Sequence, residues 1–457
     1  MTADSNLALR TDLYELTMMQ GYWATGRSSE LASFELFFRT VPEGGGYAVA
    51  AGIEAAIDIC LNAHFSSEQL DYLSDLGMFQ TSFLEALSKL RFSGNVRAVP
   101  EGSVVFPHEP MLEVTGPLLE SQWLETQLLN CVNFQTLIAT KASRIIQAAK
   151  PATVVDFGLR RAHGPNGGLW ASRSAYLAGC TATSNVESGF AYGIPLQGTH
   201  AHSWVMSFPT EVEAFRAYAE VFPDHTVLLI DTYDTLDQGL KSAIRVGLEM
   251  KAKGHSLRGV RLDSGDLAYL SKACRRELDE AGLNDVQIVA SSDIDEYVIE
   301  NLKMQQAEID VYGVGTRLAT AFQEPALGGV YKIVALEADG QWIPKLKVSS
   351  NPAKTTIPGR KQIYRWESGG QYLGDALAML DEKPPERMRH RDLSYKQTEF
   401  RDGELLPLLE TRIRDGARSR PADSLTTARR ARATRSGKAT VGTSEAVSAA
   451  HLSRGFI

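Results

Sequence analysis

A chain of 457 residues with 44% hydrophobic and 22% charged residues can build two folded domains and has none of the composition of a disordered or fibrous protein. Acidic residues outnumber basic ones 55 to 47, a net charge of −8 that argues against a dedicated nucleic-acid binder. No apolar run approaches the ~18 residues of a membrane helix, Met1-Thr2-Ala3-Asp4-Ser5 lacks the basic and apolar regions of a secretory signal, and the scattered Cys60, Cys131, Cys180 and Cys274 suit buried thiols in a reducing cytoplasm.

Asp12 reads as a helix cap with Glu15 three residues on, followed by Leu16, Met19 and Trp23 at helical spacing. Residues 31–40 alternate, with Phe34, Leu36 and Phe38 on one face, and predict a strand. Gly44-Gly45-Gly46 predicts a turn before a helix at about 52–62. Short β-like runs over 95–119, broken by Pro100, Pro107, Pro110 and Pro117, predict a turn-rich sheet, and 121–149 keeps a helical rhythm.

Eight β-branched runs follow, at 153–156, 180–183, 194–198, 226–231, 259–263, 286–290, 309–313 and 329–334, with helical stretches between them. Mostly continuous apolar runs predict a parallel sheet covered on both faces, and closure into a barrel is its simplest form. The expected fold class is α/β: an irregular (β/α) barrel over 121–336, with a second, discontinuous α/β sheet domain from 1–120 plus 337–413. Segments 345–349 and 354–365 read as strands and turns returning to the amino-terminal sheet. From 414 to 457, Arg429-Arg430-Ala431-Arg432 stands among Ser, Thr, Ala and Gly without an apolar period, which predicts a disordered tail.

Polar clusters end nearly every run: Asp156 to Arg160, Thr183-Ser184-Asn185, Thr199 to His202, Asp231 to Asp234, Arg261 to Asp266, Ser291-Ser292-Asp293 and Gly313 to Thr316. Barrel enzymes build their sites from such loops, so these clusters are expected to converge on one rim. His200 and His202 would share a face if their segment were a strand, but a zinc reading lacks further ligands at a recognisable spacing, and a structural pair is the plainer alternative. Arg160, Arg161 and Arg261 with Gly313-Val314-Gly315-Thr316 form an anion-handling set of guanidiniums, backbone N–H groups and a hydroxyl. Asp263 and Asp266, beside Arg261 and Gly265, suit Mg²⁺ carried by a diphosphate; a helix cap is the bland reading of each acid.

Over residues 10–409 the chain resembles the nicotinate phosphoribosyltransferases. The resemblance rests on Thr11-Asp12-Leu13-Tyr14, Phe34 to Arg39, Asp156 to Ala162, Gly198 to Ser203, Ile230 to Asp234, Arg261 to Asp266, Gly313 to Thr316 and Pro325 to Lys332. It implies transfer of a phosphoribosyl group from phosphoribosyl diphosphate to nicotinate, giving nicotinate mononucleotide and diphosphate, coupled to hydrolysis of ATP and assisted by Mg²⁺. By resemblance His202 is the transiently phosphorylated histidine, Asp231 the acid that orients it, and Asp263 the residue holding the metal–diphosphate end, through water. The same likeness assigns Tyr14 and Phe157 to the two faces of the pyridine ring, with Tyr14 supplied across a homodimer interface. Thr199 and Arg261 then lie near the nicotinate carboxylate, and Arg160, Gly313, Gly315 and Thr316 in the phosphoribosyl diphosphate cradle.

Ser184 stands where nicotinamide-specific relatives carry an Asp, and a hydroxyl can donate to a carboxylate that an Asp would repel. His200 is given no role. The tail after Arg414 does not resemble the family's helical carboxyl terminus. The other readings are a nicotinamide or quinolinate phosphoribosyltransferase, and a non-catalytic barrel that senses nucleotides.

Overall fold

In the computed structural model, which describes residues 7–347, 355–390 and 395–438, the two ends of the chain share one unit and the middle forms another. The first comprises the described residues of Met1–Thr140 and Ala326–Ile457, and the second is Lys141–Pro325.

The sheet of the first unit has seven strands, in spatial order Gln341–Pro344, Gly329–Ala338, Leu31–Phe38, Leu112–Pro117, Asn95–Ala98, Glu410–Arg414 and Ala417–Arg418. Neighbouring strands are antiparallel throughout. The alternation of Leu31–Phe38 buries Phe34, Leu36 and Phe38 together, as the pattern predicts. Its other face buries Ser33 and Glu35, and Glu35 is compensated there by Lys361 at 2.9 Å.

The helix Leu13–Ala24 starts as expected, but the Asp12 side chain does not cap it. That carboxylate instead accepts the Thr126 hydroxyl at 2.9 Å, and Glu15 turns inward to accept from Gln122 at 2.8 Å. The capping box occurs elsewhere, between Ser66 and Gln69.

Both expected domain boundaries shift, from 120/121 to 140/141 and from 336/337 to 325/326. The segment predicted as one helix forms two, Leu118–Trp123 and Glu125–Ala149. Thr136 and Thr140 of the second accept the backbone N–H groups of Ala51 and Val49 at 3.1 and 2.9 Å, tying it to the first unit. The run 329–334 joins the antiparallel sheet beside Leu31–Phe38 rather than the parallel one. A strand interrupted by Lys332, with Tyr331, Val334 and Ala335 buried, suits a sheet with unequal faces rather than one covered on both.

The second unit confirms the α/β class as a curled parallel half-barrel of six strands, not a closed ring of eight. Their order is Ala182–Thr183, Thr153–Asp156, Val311–Val314, Gln287–Ser292, Gly259–Leu262 and Val227–Leu229. The run 194–198 contributes only a bridge between Leu196 and Thr183, because Pro195 has no N–H to extend a ladder. Val155, Ala182, Val289 and Val311 form one core cluster of this sheet, with Phe157 and Val227 packed against it.

Two expectations for the carboxyl-terminal region change. Lys361–Ser368 does not rejoin the amino-terminal sheet but pairs with Gln371–Met379 and Glu404–Pro407 in a separate sheet; Glu410–Arg414 makes the return. The expected strand at 345–349 is absent over its described part, residues 345–347, and 348–354 lie outside the described residues. Over the described residues 415–438 the chain forms elements where disorder was predicted: Asp415 and Gly416, both at positive φ, turn it into Ala417–Arg418, and a helix runs Leu425–Lys438. Residues 1–6 and 439–457, which carry the leader reading and the rest of the tail, also lie outside the described residues.

The four cysteines are buried thiols, and no helix among the described residues is long and apolar enough to cross a membrane.

Candidate active site

Three adjacent parallel strands, Val227–Leu229, Gly259–Leu262 and Gln287–Ser292, bring together side chains far apart in sequence. Asp231 follows the first of these strands, and its side chain is 1% exposed. One carboxylate oxygen, Oδ2, accepts the Asp263 backbone N–H at 2.9 Å and the Ser264 hydroxyl at 2.6 Å. The other, Oδ1, lies 3.2 Å from Nε2 of His202. A carboxylate can only accept, so Nε2 carries the hydrogen, and in the neutral imidazole the lone pair then lies on Nδ1. The His202 side chain is 41% exposed, so a ligand can reach it.

Arg261 organises the neighbouring corner. It donates to Ser291 Oγ at 2.8 Å, Thr199 Oγ1 at 2.8 Å and Asp263 Oδ1 at 2.9 Å, while Ser291 also donates to Asp263. Among the described residues Oδ2 of Asp263 takes no hydrogen bond, and one half-buried carboxylate oxygen beside an arginine fits a hydrated Mg²⁺ that arrives with phosphate. No group of three or more His, Cys, Asp or Glu among the described residues is arranged to hold a metal by itself. Asp266 is spent as a cap, accepting from Tyr269 N at 3.0 Å, so the bland reading holds there.

The Arg261 guanidinium also lies 5.4 Å from the centre of the Phe157 ring. That ring rests on Gly313, where a Cβ would come within 2.4 Å of it. Gly158 is equally constrained, since a Cβ there would meet Ala319 at 2.6 Å. Buried Asp156 shapes the loop between them, accepting from Gly158 N at 2.8 Å and from the Thr183 hydroxyl at 2.7 Å.

The structure therefore joins His202, Asp231, Asp263, Arg261, Thr199 and Phe157 through direct contacts. Gly313 underlies Phe157, and Gly315 and Thr316 continue that strand into the helix Thr316–Ala319. Ser184 and Arg160 are exposed on neighbouring strand ends, and their side chains make no bond to the Arg261 cluster. Tyr14, half exposed on Leu13–Ala24, belongs to the first unit.

The histidine pair corrects the strand picture. Ala201 is the N-cap of the short helix His202–Met206, and the two rings have different surroundings. His200 is buried against Phe215 and Tyr218, and its Nε2 accepts the Leu229 backbone N–H at 3.3 Å. Burial first, then the charges of Arg261 and His202, push its imidazole down to about 4, so it is neutral.

Reading from sequence passed over His200, Ser264, Ser291 and Glu211. The serines sat inside quoted motifs without a role. Glu211 gave no signal, because an acid after Thr210 looks like an ordinary first-turn residue. It is buried, neither carboxylate oxygen has a partner among the described residues, and burial, then Asp231 and Asp234, push it up to about 7.

Comparison with known proteins agrees along nearly the whole chain. A sequence model of the nicotinate phosphoribosyltransferase (NAPRTase) N-terminal domain matches residues 9–133, and one of the NAPRTase family matches 152–390. A nicotinate phosphoribosyltransferase of Bacillus subtilis is 48% identical, covering 85% of this chain and 79% of that protein. One from Homo sapiens is 36% identical, covering 92% and 89% respectively. The crystal structure of human nicotinic acid phosphoribosyltransferase superposes with a TM-score of 0.85 at 32% identity, over 96% of this chain and 97% of that one. The chain is thus an enzyme of the nicotinate phosphoribosyltransferase family.

Proposed function

We propose that this chain joins nicotinate to the ribosyl carbon of phosphoribosyl diphosphate, releasing diphosphate and nicotinate mononucleotide, and couples that transfer to cleavage of ATP. The observation that carries the coupling is the contact between exposed His202 and buried, donor-saturated Asp231. Nδ1 of His202 attacks the γ-phosphorus of ATP, the bond to the β-phosphate oxygen breaks, and ADP leaves. Water later cleaves the N–P bond and returns free imidazole and phosphate. Throughout, Asp231 holds the Nε2 hydrogen and balances the charge that develops on the ring.

In the transfer step Phe157 presents a flat face to the pyridine ring, and Tyr14 from a second copy is assigned to the opposite face. Thr199 and Arg261 face the nicotinate carboxylate, and Arg160, Gly313, Gly315 and Thr316 serve the phosphoribosyl diphosphate. Asp263 would hold Mg²⁺ through water, and the ion would supply charge neutralisation for the departing diphosphate. A hydroxyl at Ser184 rather than a carboxylate favours nicotinate over nicotinamide. The four buried thiols support a reducing, cytoplasmic setting.

Diphosphate release, measured with nicotinate, nicotinamide or quinolinate, each with and without ATP, tests this reading. Nicotinate-dependent release stimulated by ATP supports it. Preference for either other pyridine, or nucleotide binding without turnover, refutes it.

A further inference from the structure

A cavity of about 480 Å³ opens within the first unit, lined by Arg97, Glu113, Trp342, Arg360, Thr411 and Arg414 among others. None of these residues takes part in the site described above. Strand register explains how the polar wall arises. Thr411 lies opposite Arg97, Arg97 opposite Glu113, and Glu113 opposite Glu35, so one row across the sheet places polar groups on a single face. Covering a sheet face with ion pairs confers less stability than covering it with apolar side chains, so the row calls for another explanation than packing.

Its charges are unevenly spent. Three guanidiniums meet two carboxylates, those of Glu113 and Asp415, in the cavity wall. Glu113 is 1% exposed and accepts from Arg97 Nε at 2.5 Å, Arg360 Nε at 3.1 Å and Ser33 at 3.1 Å. Against burial, which pushes it up, the two arginines hold its carboxyl below the usual range, so it stays ionised. Arg97 also donates through Nη2 to the Lys361 carbonyl at 2.8 Å. Among the described residues Nη1 of Arg97 and both terminal nitrogens of Arg360 have no acceptor, and Arg414 makes no ion pair. The Arg360 guanidinium is held 4.6 Å from the Trp342 ring centre, which fixes a cation beside an aromatic surface.

Unspent guanidinium donors bind phosphate as a fork, an indole gives a flat base something to pack on, and the volume falls in the range of roughly 300–1,000 Å³ typical of small-ligand sites. We propose that this cavity is a second ligand site, selective for a mononucleotide whose phosphate is held by Arg360 and Arg414 and whose base packs on Trp342.

Calorimetric titration of the full chain with AMP, and separately with inorganic phosphate, tests the proposal without requiring turnover. The inference therefore stands or falls independently of the ATP-coupled reading. At least one class of AMP site is expected, whether or not AMP also binds beside His202. Arg414→Glu, a change at an exposed residue, should weaken one class about tenfold or more while leaving the thermal midpoint and kcat unchanged. Trp342→Leu should weaken AMP at that class more than it weakens phosphate, because the indole carries the base as well as steadying Arg360. No AMP binding to the unaltered protein, or an isotherm unmoved by Arg414→Glu, overturns the site. Equal weakening of AMP and phosphate by Trp342→Leu overturns the nucleotide assignment.

Discussion

His200 accepts the Leu229 backbone N–H at 3.3 Å, and two residues further along both segments His202 faces Asp231 at 3.2 Å. The first contact fixes the register of the second. A buried, neutral imidazole thus pins the loop from Thr199 to His202 against the strand Val227–Leu229, so that the exposed ring emerges beside its carboxylate. His200→Phe keeps an aromatic ring but leaves a buried N–H unpaired, which should cost about 1–3 kcal/mol in denaturant melts. Phosphorylation of His202 should fall about tenfold or more; an unchanged labelling rate would remove His200 from this positioning role.

Asp231→Asn preserves shape but replaces an acceptor of three donors with an amide that can donate. Ser264 or the Asp263 N–H then loses a partner, and His202 is free to take the wrong tautomer. By analogy with other histidine–carboxylate pairs, the phosphorylation rate should drop on the order of 10²–10⁴-fold. Rapid-quench labelling with ATP measures it, and a loss below about threefold would show that the carboxylate does not orient the ring.

Gly313→Ala places a methyl within 2.4 Å of the Phe157 ring. Overpacking of this kind costs about 1–3 kcal/mol, and the ring, rather than the strand, is the part able to move. The KM for nicotinate should rise several-fold, with a smaller effect on phosphoribosyl diphosphate. Equal effects on both substrates would mean that the strand itself had shifted.

Glu211 sets a pH dependence. Its carboxyl is pushed up to about 7 from an ordinary value near 4.5, so the fold favours the neutral form. The stability it contributes is fully present below about pH 4.5 and is lost as pH rises through about 7. Glu211→Gln should remove one proton's share of that slope, up to about 1.4 kcal/mol per pH unit. Urea melts at about pH 5 and pH 7.5 measure it; a difference between variant and parent that is the same at both would contradict the assignment.

Most of the second unit was legible because parallel strands announce themselves as apolar runs with polar carboxyl ends. Asp156, Asp231, Arg261 and Gly313 all sit where that rule puts them. Burial pattern decided the errors. Lys332 marked its run as antiparallel, and Pro195 limited another to a bridge. Asp415-Gly416, a strong hairpin turn, was overshadowed by the basic, apolar-poor sequence that follows. His200 escaped because its partner is a backbone N–H, which no side-chain pattern records. Glu211 escaped because its significance comes only from burial near Asp231 and Asp234.

Incubating the protein with Mg-ATP labelled at the γ-phosphate, and counting acid-labile phosphate on the chain, shows whether His202 takes up the phosphoryl group. One labile phosphate per chain in the parent, and none in His202→Ala, is the predicted result. Label that persists in His202→Ala, or its absence from the parent, would rule out His202 as the phosphoryl acceptor.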